Sequence, residues 1–115
     1  MLSQISRRVE NLPRARAFFA TIGVKELYAF PGLAFLALGR TRLMLKETGA
    51  RNEADILYLW TSDIAVTHAE LLGKGVVFST APHMIHRHED GAEEWMAFFK
   101  DDEDRDLALH MIRAP

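Results

Sequence analysis

Asn11-Leu12-Pro13-Arg14-Ala15-Arg16-Ala17-Phe18-Phe19-Ala20-Thr21-Ile22-Gly23 and Asp63-Ile64-Ala65-Val66-Thr67-His68-Ala69-Glu70-Leu71-Leu72-Gly73-Lys74-Gly75 stand 52 positions apart in one register. Each opens on a residue whose side-chain oxygen can cap a helix N-terminus, and each closes on a glycine that can take the left-handed turn after a helix. Leu12 aligns with Ile64, Ala17 with Ala69, Phe19 with Leu71 and Val24 with Val76, without a gap. A cap, a stop and four apolar positions in one register mark a duplicated unit. Ala15, Phe18, Phe19 and Ile22 carry the spacing of one buried helical face over 12–22. Pro13 suits the first turn, where its missing N–H costs nothing. Ile64, Leu71 and Leu72 do the same over 64–74, with His68 at the edge of that face, read as an interfacial or solvent-tipped histidine and not a ligand.

Strand signals surround both helices. One strand-like run precedes each, at about 3–9 and 55–61, the second rich in β-formers (Ile56, Leu57, Tyr58, Leu59, Trp60). Three follow each helix: about 25–30, 33–39 and 41–46 in the first half, and about 76–79, 94–100 and 106–112 in the second. Pro31-Gly32 and Gly39-Arg40 punctuate the first set. Thr80 to Glu93 reads as a longer connection, and Asp101 to Asp106 as the last hairpin turn. The pattern β-α-β-β-β therefore occurs twice. The expected fold is α+β: two βαβββ modules, about 2–48 and 54–113, in a single domain over 1–115. Together they would make a cupped, partly closed eight-stranded mixed sheet with helices on the outer face.

Composition narrows the function. The 115 residues are 49% hydrophobic and 26% charged, enough for a packed core. With a net charge of -2 and the cluster Arg7, Arg8, Arg14, Arg16 broken by Glu10 and read as solvated surface, nucleic-acid binding has little support. Absence of cysteine excludes disulfides, thiolate metal sites and cysteine nucleophiles, and is compatible with a reducing cytoplasm. No apolar run approaches a membrane span, and no signal peptide is read in the first residues. No phosphate-binding loop, dinucleotide fingerprint or serine triad order is visible.

The order of these motifs resembles the vicinal oxygen chelate superfamily, which includes glyoxalase I, bleomycin-resistance proteins, extradiol dioxygenases and methylmalonyl-CoA epimerase. Three stretches carry the likeness: Gln4 through Asn11-Leu12 to Ile22-Gly23, Asp63-Ile64 through Gly75-Val76, and Trp95-Met96-Ala97-Phe98-Phe99-Lys100-Asp101 followed by Leu107-Ala108-Leu109. The resemblance implies metal ligands near Ser6, Met44, Ile56 and Ala108, and none of these is a good donor for Zn²⁺ or Mn²⁺. The closing turn also departs from the family pattern, with Asp102-Glu103-Asp104-Arg105 in place of a proline- and glycine-containing turn. The chain is thus identified as a member lacking the usual metal ligands, and neither a metal nor another cofactor is expected.

Candidate site residues follow from strand alternation. If Ser6 and Ile56 face the ligand, so do Gln4 and Arg8, Tyr58 and Trp60, and on the last strand Ala108 and His110; Met44 and Trp95 complete the substrate-binding set with His86. Arg8 could receive an anionic ligand group or pair with Glu10. Tyr58 and Trp60 suit a ligand wall and a core or dimer interface equally well. His83, after Pro82, and His110 are the candidate acid/base groups. His86, His88 and Glu89 are the alternative, a relocated metal site in a glyoxalase- or dioxygenase-like enzyme, against the reading of that stretch as a solvated loop. The expected function is a cytoplasmic, homodimeric, metal-independent small-molecule-binding protein or a lyase- or isomerase-like enzyme. An antibiotic-sequestering protein without catalysis is the third reading.

Overall fold

The computed structural model describes residues 4–50 and 55–115. The expected module starts at 2 and 54, and the first residue of the 3–9 strand, lie outside them. The chain divides into two compact units, Met1–Asp55 and Ile56–Pro115. The first runs β1 (Gln4–Val9), α1 (Leu12–Thr21), β2 (Lys25–Phe30), β3 (Leu33–Leu38), β4 (Thr41–Glu47). The second runs β5 (Leu57–Trp60), α2 (Ile64–Gly73), β6 (His83–Arg87), β7 (Glu93–Lys100), β8 (Asp106–Arg113). The eight strands form two four-stranded mixed sheets of matching order, β1-β4-β3-β2 and β5-β8-β7-β6. In both, the first strand lies parallel to the last and the remaining pairs are antiparallel.

The duplication extends to individual hydrogen bonds. Asn11 accepts the Arg14 N–H at 3.0 Å and Asp63 the Val66 N–H at 3.2 Å, each filling one of the donors a helix start leaves open. Gly23 and Gly75 take φ of +88° and +86°. That left-handed turn lets Val24 N–H reach Phe19 C=O at 2.9 Å and Val76 N–H reach Leu71 C=O at 3.0 Å, closing both helices in the same way.

Each helix covers one face of its own sheet. In the first unit Leu12, Ala15 and Phe19 of α1 are buried, as are Val9, Leu36, Leu43 and Leu45 of the sheet. Phe19 is 1% exposed, and truncating so buried a ring costs about 3–5 kcal/mol. In the second, Ile64 and Leu71 of α2 are buried, as are Phe99, Leu107 and Leu109 of β7 and β8. His68 lies at the edge of α2 with its ring 4.5 Å from that of Phe78.

Three expectations are corrected. Val76–Ser79 is not a ladder strand: Phe78 makes a single bridge to Phe99. The fourth strand is instead His83–Arg87, inside the stretch read as a connection. Arg7 is not solvated surface. Strand alternation puts it on the helix-covered face, where it is 0% exposed, 3.5 Å from Asp55 and 6.0 Å from the Phe19 ring centroid. The strand expected over 55–61 spans only 57–60, so Ile56 precedes it.

Candidate functional site

The face of each sheet that its helix does not cover carries the candidate residues. On the first sheet the parallel register sets Gln4 beside Arg42, Ser6 beside Met44 and Arg8 beside Lys46. Phe35 follows across β3 against Met44, and Tyr28 of β2 against Phe35. Ser6, Arg8 and Met44 therefore fall on one face, as alternation requires.

Sequence reading missed the group at the centre of that face. Arg42 donates from Nη1 to the Tyr28 hydroxyl and from Nη2 to Gln4 Oε1, both at 2.7 Å. Its guanidinium lies 5.0 Å from the Phe35 ring centroid. Tyr28 is 4.9 Å from Phe35 and 5.6 Å from Phe30, making a cluster of three rings. Counting back two from Met44 would have found Arg42. Tyr28 was hidden because a register shift between Glu26 and Tyr28 resets the alternation of β2.

On the second sheet Tyr58 pairs with Ala108 and Trp60 with His110. Across β7, Phe98 sits against Ala108, Met96 against His110 and Glu94 against Ile112. On the edge strand His83 pairs with Met96 and His86 with Glu94, so both histidines share this face. Ala108 is fully buried within it, whereas Tyr58 and Trp60 are 52% and 62% exposed. Two candidates are displaced. Trp95 pairs with Met111, on the opposite face, where its Nε1 donates to Glu93 at 3.0 Å. The position paired with Ala108, as Ser6 is with Met44, is Tyr58 and not Ile56.

Glu94 organises the histidines and was also missed. Its Oε1 accepts from His88 Nε2 at 2.9 Å and its Oε2 faces His110 Nε2 at 3.4 Å. The His86 ring stands edge-on to His88 at 4.5 Å, and Trp60 edge-on to His110 at 5.9 Å. The His88 hydrogen bond, with a smaller contribution from His110, holds the Glu94 carboxyl below its usual pKa, against some opposition from burial. A carboxylate only accepts, so the hydrogen of each neutral ring sits on Nε2, and Nδ1 of His110 is the atom able to take a proton. His83 is arranged the other way: Nδ1 faces the Ala81 carbonyl at 2.8 Å and so carries the hydrogen, leaving Nε2 as acceptor. The carboxylate that meets His88 is thus Glu94, whereas the sequence pointed to Glu89.

The donor set does not suit a chelated metal. Ser6 with Met44, and Tyr58 with Ala108, offer a hydroxyl, a thioether, a phenol and a methyl where imidazole and carboxylate are wanted. Among the described residues, the one compact group of potential ligands is Asp101, Asp102 and Glu103 in the β7–β8 turn. Its buried carboxylates are already engaged: Asp101 accepts from the backbone of Glu103 and Arg105, and both acids meet the Arg105 guanidinium.

No family model and no curated protein sequence matches this chain. Solved structures do. An integron cassette protein from the mobile metagenome of V. cholerae superposes with a TM-score of 0.80 at 16% identity, covering 96% of this chain and 94% of that one. A glyoxalase/bleomycin resistance protein/dioxygenase from Alicyclobacillus acidocaldarius gives 0.77 at 12% identity, over 96% and 90%. Lactoylglutathione lyase from Agrobacterium tumefaciens gives 0.72 at 16% identity, over 96% and 92%. At such identities the likeness is one of backbone, and function does not travel with it. By architecture, the chain has the fold of the vicinal oxygen chelate superfamily, that of the glyoxalase and bleomycin-resistance proteins.

Proposed function

We propose that this chain binds a small organic molecule on its uncovered sheet faces, without the metal chelate for which the superfamily is named. The observation that carries the reading is the pair of cross-strand positions Ser6–Met44 and Tyr58–Ala108, which supply no chelating set. Half-exposed rings stand beside them, with a few polar groups to orient a ligand. A planar or amphipathic compound such as an antibiotic suits walls of this kind, and a homodimeric, cytoplasmic protein belongs to the same proposal.

Elemental analysis of the purified protein tests it, together with thermal-shift screens against divalent metals and against planar organic compounds. Metal should fall below about 0.1 per chain, since a real site approaches stoichiometry. Divalent ions should leave the melting temperature unchanged, and an organic compound should raise it in the wild type but not in Trp60→Ala or Phe35→Ala. Stoichiometric metal with a clear shift would overturn the reading and restore chelate chemistry.

A second reading, a lyase or isomerase, is favoured by one observation: Glu94 orients His110 so that Nδ1 is its basic atom. Removing a general base costs about 10²–10⁴ in rate. Once a turnover assay exists, unchanged rates in His110→Ala and His83→Ala would sink this reading.

A further inference from the structure

We propose that the uncovered face of the first sheet holds a planar aromatic acid, with Arg42 receiving the carboxylate and the Tyr28, Phe30 and Phe35 rings receiving the flat body. The inference rests on the reading that the uncovered faces bind small organic molecules, and it specifies the chemistry of one of them.

The charge of this face is one-sided. By register, Lys25, Arg8, Arg42 and Lys46 fall on it. The strand carboxylates of the same unit fall on the other face. Glu26 is paired there with Arg16, and Glu47 accepts the Leu12 N–H at 2.7 Å. A chain with a formal charge of -2 therefore carries a cationic surface with no strand acid on it.

Arg42 is the centre of that surface. Arg7, Arg14, Arg16, Arg87, Arg105 and Arg113 each stand within reach of a carboxylate. Among the described residues the partners of Arg42 are neutral: a phenol, an amide oxygen and an aromatic ring. Those contacts hold the guanidinium in place without cancelling its charge. They use one N–H of each terminal nitrogen, and the other donors can take a carboxylate in the two-pronged geometry arginine favours. Fixing the cation beforehand removes the ordering cost that a loose surface arginine would bear on binding.

The rings set the other half of the ligand. Tyr28 and Phe30 are 44% and 55% exposed, and exposed rings this close together are an unfilled apolar contact. Rings and cation form one continuous surface: the guanidinium bonds the Tyr28 hydroxyl at 2.7 Å and lies 5.0 Å from the Phe35 ring centroid, and Phe35 is 4.9 Å from Tyr28. A polynucleotide fits less well. It needs a track of phosphate contacts, whereas this face is four short strands with a single anchored guanidinium.

The test is an NMR titration of the full chain, following the Arg42 Nε–Hε signal and the backbone amides of β2, β3 and β4. The probes are 2-naphthoate and its neutral counterpart 2-naphthamide. The acid should shift Arg42 and its three neighbouring strands and bind at least about tenfold more tightly than the amide, the scale of one lost charge-assisted hydrogen bond. Arg42→Met keeps the stem and drops the charge, so it should bring the acid down to the affinity of the amide and leave the amide unchanged. Tyr28→Phe keeps the ring and loosens the guanidinium, giving a smaller loss in a variant whose packing is intact.

Equal binding of acid and amide, an unaffected Arg42→Met, or no shift at Arg42 with either probe would overturn the proposal. So would tight, salt-sensitive binding of a dT12 oligonucleotide to the same signals. Shifts confined to Trp60, His110 and their strands would overturn it while leaving the broader small-molecule reading in place. Stoichiometric metal would defeat the broader reading without touching the Arg42 result.

Discussion

The two uncovered faces are built on the same backbone and carry opposite chemistry. Where β4 presents Arg42, Met44 and Lys46, β8 presents Asp106, Ala108 and His110 at the matching register positions. Where β1 presents Gln4, Ser6 and Arg8, the positions 52 residues on are Ile56, Tyr58 and Trp60. The first face is cationic with its rings on β2 and β3. The second has rings on β5 and β7 (Tyr58, Trp60 and Phe98) and its histidines and Glu94 on β6 to β8 and the residue after β6. Duplication has kept what the backbone needs, the caps and the left-handed glycines, and released what the helices do not cover. Side chains on an uncovered face can change without disturbing the helix-covered core, so one fold can carry different chemistries there.

The contrast extends to the closing hairpins, and there the largest effect is expected. The β3–β4 turn is Gly39-Arg40, with the glycine at φ +59° and Arg40 exposed. The β7–β8 turn instead buries Asp101, Glu103 and Arg105 at 8%, 5% and 4% exposure. Arg105→Met removes the cation that faces two buried carboxylates and should cost about 3–5 kcal/mol, a large part of the ~5–15 kcal/mol that holds a domain together. Arg40→Met should stay within about 0.5 kcal/mol. Urea denaturation of both variants measures the difference. Equal losses would mean that the two turns are alike in energy despite their different burial.

The helix caps sharpen the comparison at a smaller scale. Asn11→Ala and Asp63→Ala should each lower stability by about 1 kcal/mol. Asp63 should cost more, because its charge faces the positive end of α2 whereas Asn11 is neutral. The excess should shrink in high salt, where an exposed charge at a helix end is screened. An identical salt response from the two variants would remove the charge from the explanation.

How much of this was legible follows from where each signal resides. The caps, helix faces and most strands were readable because they are local and apolar. His83–Arg87 was not, because an edge strand with exposed side chains needs no apolar alternation. Val76–Ser79 looked more like a strand because Val76 and Phe78 supply β-forming side chains, yet Val76 is buried at the end of α2 and Phe78 packs on His68 and Phe99. On the first face Arg42 was within reach of alternation, but its partners come from β1 and β2, distant in sequence. Glu94 was passed over for Glu89 because proximity to the histidines along the chain was taken for proximity in space; the β6–β7 register brings Glu94 to them.

The smallest expected effect separates the two faces by pH. Hydrogen bonds from His88 and His110 lower the folded pKa of Glu94 from its ordinary 4.5. A carboxyl depressed in the folded state contributes stability above its unfolded pKa and loses it as pH falls through the folded value. The wild-type melting temperature should therefore drop on acidification below about pH 4.5, and Glu94→Gln should flatten part of that limb. The flattening is only partial because Glu93, held low by Trp95 and Arg87, and Glu26, held low by Arg16, titrate in the same range. Arg42→Met should leave the acid limb unchanged, since no strand carboxylate lies on its face. Melting curves of the three proteins from pH 6 to about pH 3 decide the matter. If Arg42→Met flattened the limb as Glu94→Gln does, Arg42 would have a carboxylate partner after all, and the charge contrast between the two faces would fall with it.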